Sequence, residues 1–359
     1  MKEADTFECR YSARDVILFA VALGYGSDAQ HYHDELRMIW EDHAQFDVVP
    51  TWAFALMFWA VPSQQPPLDG FLPAFPPPIM QRQGLLPLHC LQDPSALESD
   101  DISVIHTWQC IEWHTPFTLK QSPVQLHSQF TSVLPKSIGT FVNTETRITA
   151  QSTSQHICTI KSTTLLFGLD QDLVKTFHSR NSSTDRNQAA SSKSITPPRI
   201  PSQKQPPDYS ENLTIGINQA LLYRMASGDT NAIHVDATAL PPMLLANSDE
   251  TPAKPILHGL ATLGMAARAV EHFVRKLCKS SDAGKMTCWR HLEARFTNPV
   301  TIGDEIQVKC WDVPQQQEHS NSRQQDVKTI FFRAGLVPSR KVVLDHGWAI
   351  LMHAPTARL

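Results

Sequence analysis

The sequence predicts an α+β protein made of two similar halves. Three observations carry this expectation. A chain of 359 residues exceeds the usual length of a single domain. The stretch from Asp170 to Asn212 is rich in Ser, Pro, Gln and Asn and poor in large apolar residues, so it cannot repay its ordering entropy. It reads as a flexible linker, 170–212, between a first half, 1–169, and a second, 213–359. Both halves then run in the same order, helices first and strands afterwards.

In the first half, Ser12 with Asp15 makes a capping-box-like start to an apolar helix over Val16 to Leu23, which Gly24 can end. Thr51 to Trp59 is apolar nearly all round and reads as a buried helix. Strands follow around His106 to Trp113, Gly139 to Ala150 and His156 to Phe167. The second half opens with a helix near Ile217 to Met225 and a longer one near Ile256 to Leu277. In the longer one Leu260, Leu263, Ala267, Val270, Phe273, Val274 and Leu277 recur at helical spacing. Its small residues Ala261, Gly264 and Ala266 let strands come close, so a sheet is expected to wrap around it. Strands are expected at Cys288 to Phe296, Glu305 to Trp311, Lys328 to Gly335 and Lys341 to Met352, the first two joined by a turn over Asn298 to Asp304. The Pro-rich segment 61–80 and the polar segment 314–326 read as loops.

Composition narrows the function classes. An apolar fraction of 42% and a charged fraction of 18% are those of a globular chain, with no uninterrupted apolar run of bilayer length. A net charge of -4 with scattered Lys and Arg excludes the phosphate-neutralising surface of a nucleic-acid binder. The seven cysteines are odd in number and form no C-x-x-C pair, which fits free thiols in a reducing compartment. The opening MKEADTFECR lacks the apolar stretch of a secretory signal. The final tripeptide Ala357-Arg358-Leu359 resembles the S-K-L address read by the peroxisomal import receptor, so a peroxisomal location is expected, and otherwise a cytoplasmic one. His31, His33 and His43 read as solvated or hydrogen-bonded histidines in a loop of mixed polarity, and no metal or redox cofactor is expected.

The richest stretch runs from Tyr223 and Arg224 through Ser227, Gly228, Asp229, Asn231 and His234. Gly228 can end the preceding helix, after which a carboxylate, an amide and an imidazole fall within six residues. Water chemistry on a conjugated thioester needs such groups, because one takes a proton from water while another delivers a proton to carbon. On spacing alone Asp229 can equally be a capping residue and His234 a satisfied buried histidine. Further on, Pro255-Ile256-Leu257-His258-Gly259-Leu260 opens the small-residue helix. A helix N-terminus offers free backbone N–H groups, and Gly259 lets a thioester oxygen come close. Tight packing of helix on sheet is the other reading of Gly259.

Together these residues resemble the hydratase 2 family of R-specific enoyl-CoA hydratases, relatives of MaoC dehydratases. The second half carries N-Q-A-x-x-Y-R as Asn218 to Arg224, S-G-D-x-N-x-x-H as Ser227 to His234, P-I-L-H-G-L as Pro255 to Leu260, and R-F-x-x-P-V-x-x-G-D as Arg295 to Asp304. The first half is similar, more loosely, through Ala13 to Ala20, Val49 to Ala53 and His106 to Gln109. The resemblance implies a double hot-dog fold, two repeats each with an antiparallel sheet wrapped around a long central helix. It implies one active site, in the second repeat, with the first repeat degenerate and widening the acyl pocket; no second G-D-x-N-x-x-H occurs in the first half.

By the same resemblance Asp229 and His234 hold and activate water, Asn231 positions the loop, and Gly259 donates its N–H to the thioester oxygen. Ser227, Gly228, Tyr223, Arg224 and His258 support them. The expected reaction is reversible syn hydration of a trans-2-enoyl-CoA to the (3R)-hydroxyacyl-CoA, with CoA entering only as part of the substrate and the subunits forming a homodimer. Ala232 stands where the family has proline. The Pro-rich insertion after Trp59 opens a second expectation, a MaoC-like dehydratase or cyclase acting on a branched or polyketide-derived acyl thioester in specialised biosynthesis. A third, of another class, is a non-catalytic acyl-binding hot-dog protein.

Overall fold

The computed structural model describes residues 5–59, 61–62, 104–167, 197–202, 205–240, 253–277, 285–313 and 327–355. The C-terminal tripeptide, the loop 314–326 and most of the segments 61–80 and 170–212 lie outside the described residues. The first half contributes β1 (Asp5–Cys9), α1 (Ala13–Ala22), α2 (Tyr32–Ile39), α3 (Ala53–Trp59), β2 (Val61–Pro62), β3 (Val104–Trp113), β4 (Val124–Lys136), β5 (Gly139–Ala150) and β6 (His156–Leu166). The second contributes β7 (Tyr209–Thr214), α4 (Gln219–Ser227), α5 (Gly259–Leu277), β8 (Lys285–Phe296), β9 (Glu305–Asp312), β10 (Val327–Val337) and β11 (Val342–Pro355).

All strands of the described residues join one antiparallel sheet of 11, in the order β2-β1-β4-β5-β6-β3-β8-β11-β10-β9-β7. The halves meet at the β3–β8 ladder, from Trp108 opposite Arg295 to Glu112 opposite His291. Side chains alternate across this seam. Ile111, Trp113, Leu292 and Ala294 enter the main core, which the helices cover. Among the described residues no helix is long and apolar enough to cross a membrane.

The α+β class and the double hot-dog architecture stand, with local differences. Helix α1 starts as expected, the Ser12 N–H and hydroxyl both donating to Asp15, and Gly24 follows its end at φ +87°. The segment holding His31 and His33 is not a loop but helix α2 with its N-cap. Its first turn is acidic through Asp34 and Glu35, Arg37 sits in its last turn, and Glu35 and Met38 are buried. Strands β1 and β4 went unpredicted, β1 because it is five residues long with Asp and Glu among them, β4 because Ser, Gln and His occupy much of its pattern; in β4 Val124, Leu126 and Ser128 alternate as buried positions. The tail of the stretch read as linker is strand: Tyr209 to Thr214 pairs with β9. The second half has its long central helix α5, of 19 residues. In the first half the helical layer is divided among α1, α2 and α3, of 10, 8 and 7 residues, with Gly24 and Gly26 in left-handed conformation between α1 and α2.

Two contacts fasten that layer to α5. Leu23 packs on Gly264, where a Cβ would lie 2.7 Å from Leu23 Cδ2. Gly264→Ala is therefore expected to cost about 1–3 kcal/mol by overpacking, read as a lower urea midpoint; a stability equal to the parent's would contradict that contact. The second is ionic. Glu35 of α2 accepts from Arg268, from the Gly26 N–H at 2.7 Å and from His272 Nε2 at 2.8 Å. The other His272 nitrogen reaches Glu211 of β7 at 2.9 Å, and Tyr209 donates to the same Glu211 oxygen. Thus α2, α5 and β7 are tied through charges that are nearly free of solvent.

Candidate active site

Three segments build the site, and backbone hydrogen bonds lock them together. Helix α4 ends at Gly228, in left-handed conformation at φ +77°, whose N–H returns to the Arg224 carbonyl. The chain then turns through Asp229 to His234. Asp229 Oδ1 accepts from the Asn231 N–H at 3.1 Å, and Asn231 Oδ1 accepts from the Ile233 N–H at 3.3 Å. Ala232 opens a short 3-10 turn, Ala232–His234, a position that proline also fills without loss of a helical bond. The Pro255–Leu257 segment is held by this turn on one side, Ile256 N–H to Ile233 O at 3.3 Å. The turn after β8 holds it on the other, Leu257 N–H to Val300 O at 2.7 Å and Ile302 N–H to Pro255 O at 3.3 Å. Asp304 secures that turn by accepting from the Thr301 N–H at 2.7 Å.

Asp229, His234 and His258 come together, their side-chain ligand atoms all within 4.8 Å of one another. The His234 ring stacks on that of His258 at 3.6 Å, and Tyr223 lies 4.8 Å beyond His258. His234 Nδ1 lies 2.9 Å from the Ile256 carbonyl oxygen, a group that only accepts, so Nδ1 carries the proton and Nε2 is left with its lone pair. Sequence reasoning missed this carbonyl. It sits inside P-I-L-H-G-L, but a backbone acceptor leaves no mark in residue identity.

Burial raises the Asp229 carboxyl above its ordinary range, with nearby His234 working the other way. Burial also lowers His234, partly countered by the Asp229 charge. His258 is held neutral, well below the usual imidazole range, by burial and by His234. The Tyr223 hydroxyl, Arg224 Nη1 and both His258 nitrogens are buried with no hydrogen-bond partner among the described residues. Unpaired buried polar groups of this kind are costly unless a ligand meets them. Ser227 is fully buried and its hydroxyl accepts from the Asp229 N–H at 3.2 Å.

Gly259 is the first residue of α5, where helix N–H groups lack an intrahelical acceptor. The packing reading of this glycine has a direct contact behind it, because a Cβ there would lie 3.1 Å from the Phe296 ring, which the sequence did not disclose. His31 stands apart, stacked on His272 at 3.7 Å. Among the described residues the predicted loop residues, Gly259 and the supporting side chains thus converge on α4, α5 and the turn after β8.

Residues 200–331 match the family model described as MaoC like domain. The chain is 29% identical over 306 residues to enoyl-CoA hydratase 2, peroxisomal, of Arabidopsis thaliana, covering 84% of this chain and 82% of that protein. It is 31% identical over 156 residues to probable enoyl-CoA hydratase 2 of Dictyostelium discoideum, covering 43% and 44% of the two chains. The solved MaoC-like dehydratase of Phytophthora capsici superposes with a TM-score of 0.61 at 20% identity, over 99% of this chain and 97% of that one. Residues 200–331 thus match the MaoC like domain model, the chain is similar along most of its length to a hydratase 2, and its fold is the double hot-dog of MaoC-like dehydratases.

Proposed function

We propose that the protein is a hydro-lyase that adds water across the double bond of a trans-2-enoyl-CoA to give the (3R)-3-hydroxyacyl-CoA, and catalyses the reverse dehydration. The observation that carries this reading is the His234 Nδ1 bond to the Ile256 carbonyl, which leaves Nε2 as a base beside the Asp229 carboxylate. Water held between the two gives a proton to the pair as its oxygen bonds to the β-carbon. The π electrons move onto the thioester oxygen, which the Gly259 N–H and the positive end of α5 stabilise. The pair then returns a proton to the α-carbon on the same face, so atoms balance without a further reagent. Asn231 keeps the loop in shape, while Tyr223, Arg224 and His258 offer their buried donors to the bound thioester.

The peroxisome is the proposed location, supported by Ala357-Arg358-Leu359 and by the peroxisomal Arabidopsis thaliana relative. A homodimer of these two-repeat subunits belongs to the same proposal. The test is loss of the enoyl thioester chromophore with short and long trans-2-enoyl-CoAs, followed by chiral analysis of the product. A (3S) product would refute the stereochemistry. Absence of turnover at every chain length would refute the hydratase reading and leave the specialised dehydratase, the cyclase and the acyl-binding protein to be told apart by binding.

A further inference from the structure

The seam between the halves carries a second chemical cluster, on the face of the sheet opposite the main core. On β3, Cys110 and Glu112 are two residues apart and so share a face; on β8, His291 and Glu293 do the same. Antiparallel register sets Glu112 opposite His291 and Cys110 opposite Glu293, so four side chains from two halves form one square. Cys110 and His291 are 3% and 2% exposed.

We propose that Cys110, Glu112 and His291 bind a divalent transition-metal ion of the zinc class, stapling the two halves across their seam. The spacing fits an ion. Cys110 Sγ and His291 Nδ1 are 4.0 Å apart, and the sulfur, nitrogen and Glu112 oxygen all lie within 4.8 Å of one another. An ion bonded tetrahedrally at about 2.3 Å to sulfur and about 2.1 Å to nitrogen holds those atoms about 3.6 Å apart. Small movements close the difference.

The surroundings resemble the outer sphere of metal-bound histidines. His291 Nε2 points to Glu293 at 3.4 Å, its other oxygen is fixed by Trp108 Nε1 at 3.0 Å, and the His291 ring stacks on Trp348 at 3.8 Å. That Nε2 is buried without a well-formed hydrogen bond. A Cys110 thiolate, Glu112 and Glu293 would bring three negative charges against the one of Lys161, which bonds Glu112 at 3.1 Å, so a divalent cation balances the group. Glu112 and Lys161 keep side-chain exposures of 25% and 31%, leaving an entry route from solvent. The His31–Glu211–His272 group does not share these features. Both His272 nitrogens already bond carboxylates, and its ring lies within 13° of parallel to His31, so one ion cannot lie in both ring planes.

The test uses the full chain freed of metal by chelation and titrated with Co2+ as a zinc surrogate. One equivalent is expected to raise a thiolate-to-cobalt charge-transfer band in the near ultraviolet, bleached by Zn2+. Cys110→Ser abolishes the band, while Glu112→Gln and His291→Gln weaken binding tenfold or more. A chain carrying Asp229→Asn with His234→Ala keeps the band, which separates the seam from the catalytic pair. Absence of the band in the parent protein overturns the proposal, as does its survival in Cys110→Ser. Should Cys110→Ser fail to fold, the half-exposed Glu112→Gln decides: affinity equal to the parent's overturns the site, and a tenfold loss supports it.

Discussion

Asp229→Asn is expected to lower kcat/KM on trans-2-enoyl-CoA about a thousandfold, within the range for losing a positioned acid–base group. Asparagine keeps the size of the side chain and an oxygen for the Asn231 N–H, so the loop is preserved while the charge is lost. His234→Ala removes the base and is expected to cost a similar factor. The double variant should cost little more than either, because the two act as one unit on one water. The pH profile adds a sign. Burial lowers His234, so the acid limb of kcat/KM should fall below the ordinary imidazole value of 6.5. Asp229 opposes that shift, so the residual activity of Asp229→Asn should show its acid limb at still lower pH. Wild-type rates in both single variants, or a limb that moves upward, would remove these residues from the chemistry.

The second large effect is on stability. Glu35→Gln takes the carboxylate from Arg268 and His272, both nearly excluded from solvent, and leaves the Arg268 charge without its bonded partner and His272 with Glu211 alone. Breaking a buried pair this way costs about 3–5 kcal/mol, a large part of the 5–15 kcal/mol or so that holds a native fold, with a Tm fall on the order of 10 °C. Titration of the parent protein should trace the same network. For His272, burial opposes protonation, but bonds to Glu211 and Glu35 outweigh it and raise its pKa. Its contribution is thus complete below the ordinary value of 6.5 and is lost as pH rises through the raised one. For Glu35, burial alone would raise the pKa, but His272 and Arg268 hold it down to about 2. That contribution is present above the ordinary value of 4.5 and is lost as pH falls toward about 2. Denaturation across pH should therefore show full support from this network between 4.5 and 6.5. A stability curve for Glu35→Gln that parallels the parent's over both flanks would count against the network.

Much of the second half was legible in residue order. The helix that Gly228 closes, the small-residue helix α5 and four strands of the second half lie where periodicity placed them, within a few residues. Elsewhere the signal was hidden. β4 buries Ser128 against Thr146, so a hydroxyl pair replaces the apolar alternation that marks a strand. The buried face of α2 rests on Glu35, a residue that reads as exposed until Arg268 and His272, more than 200 positions away, are brought to it. Tyr209 to Thr214 follow a Pro-rich stretch and become strand only because β9 offers an edge.

Residue order by itself determined the α+β class and the short loop that carries Asp229, Asn231 and His234, since these follow from local periodicity and spacing. Tertiary structure alone decided which His234 nitrogen is free, because the Ile256 carbonyl that takes the other proton arrives from a separate segment. It also decided the ionic tie between the halves and the meeting of Cys110 with His291 across the seam. Such contacts join residues distant in the chain, and their strength comes from exclusion of water, which exists only once the two halves have closed on each other.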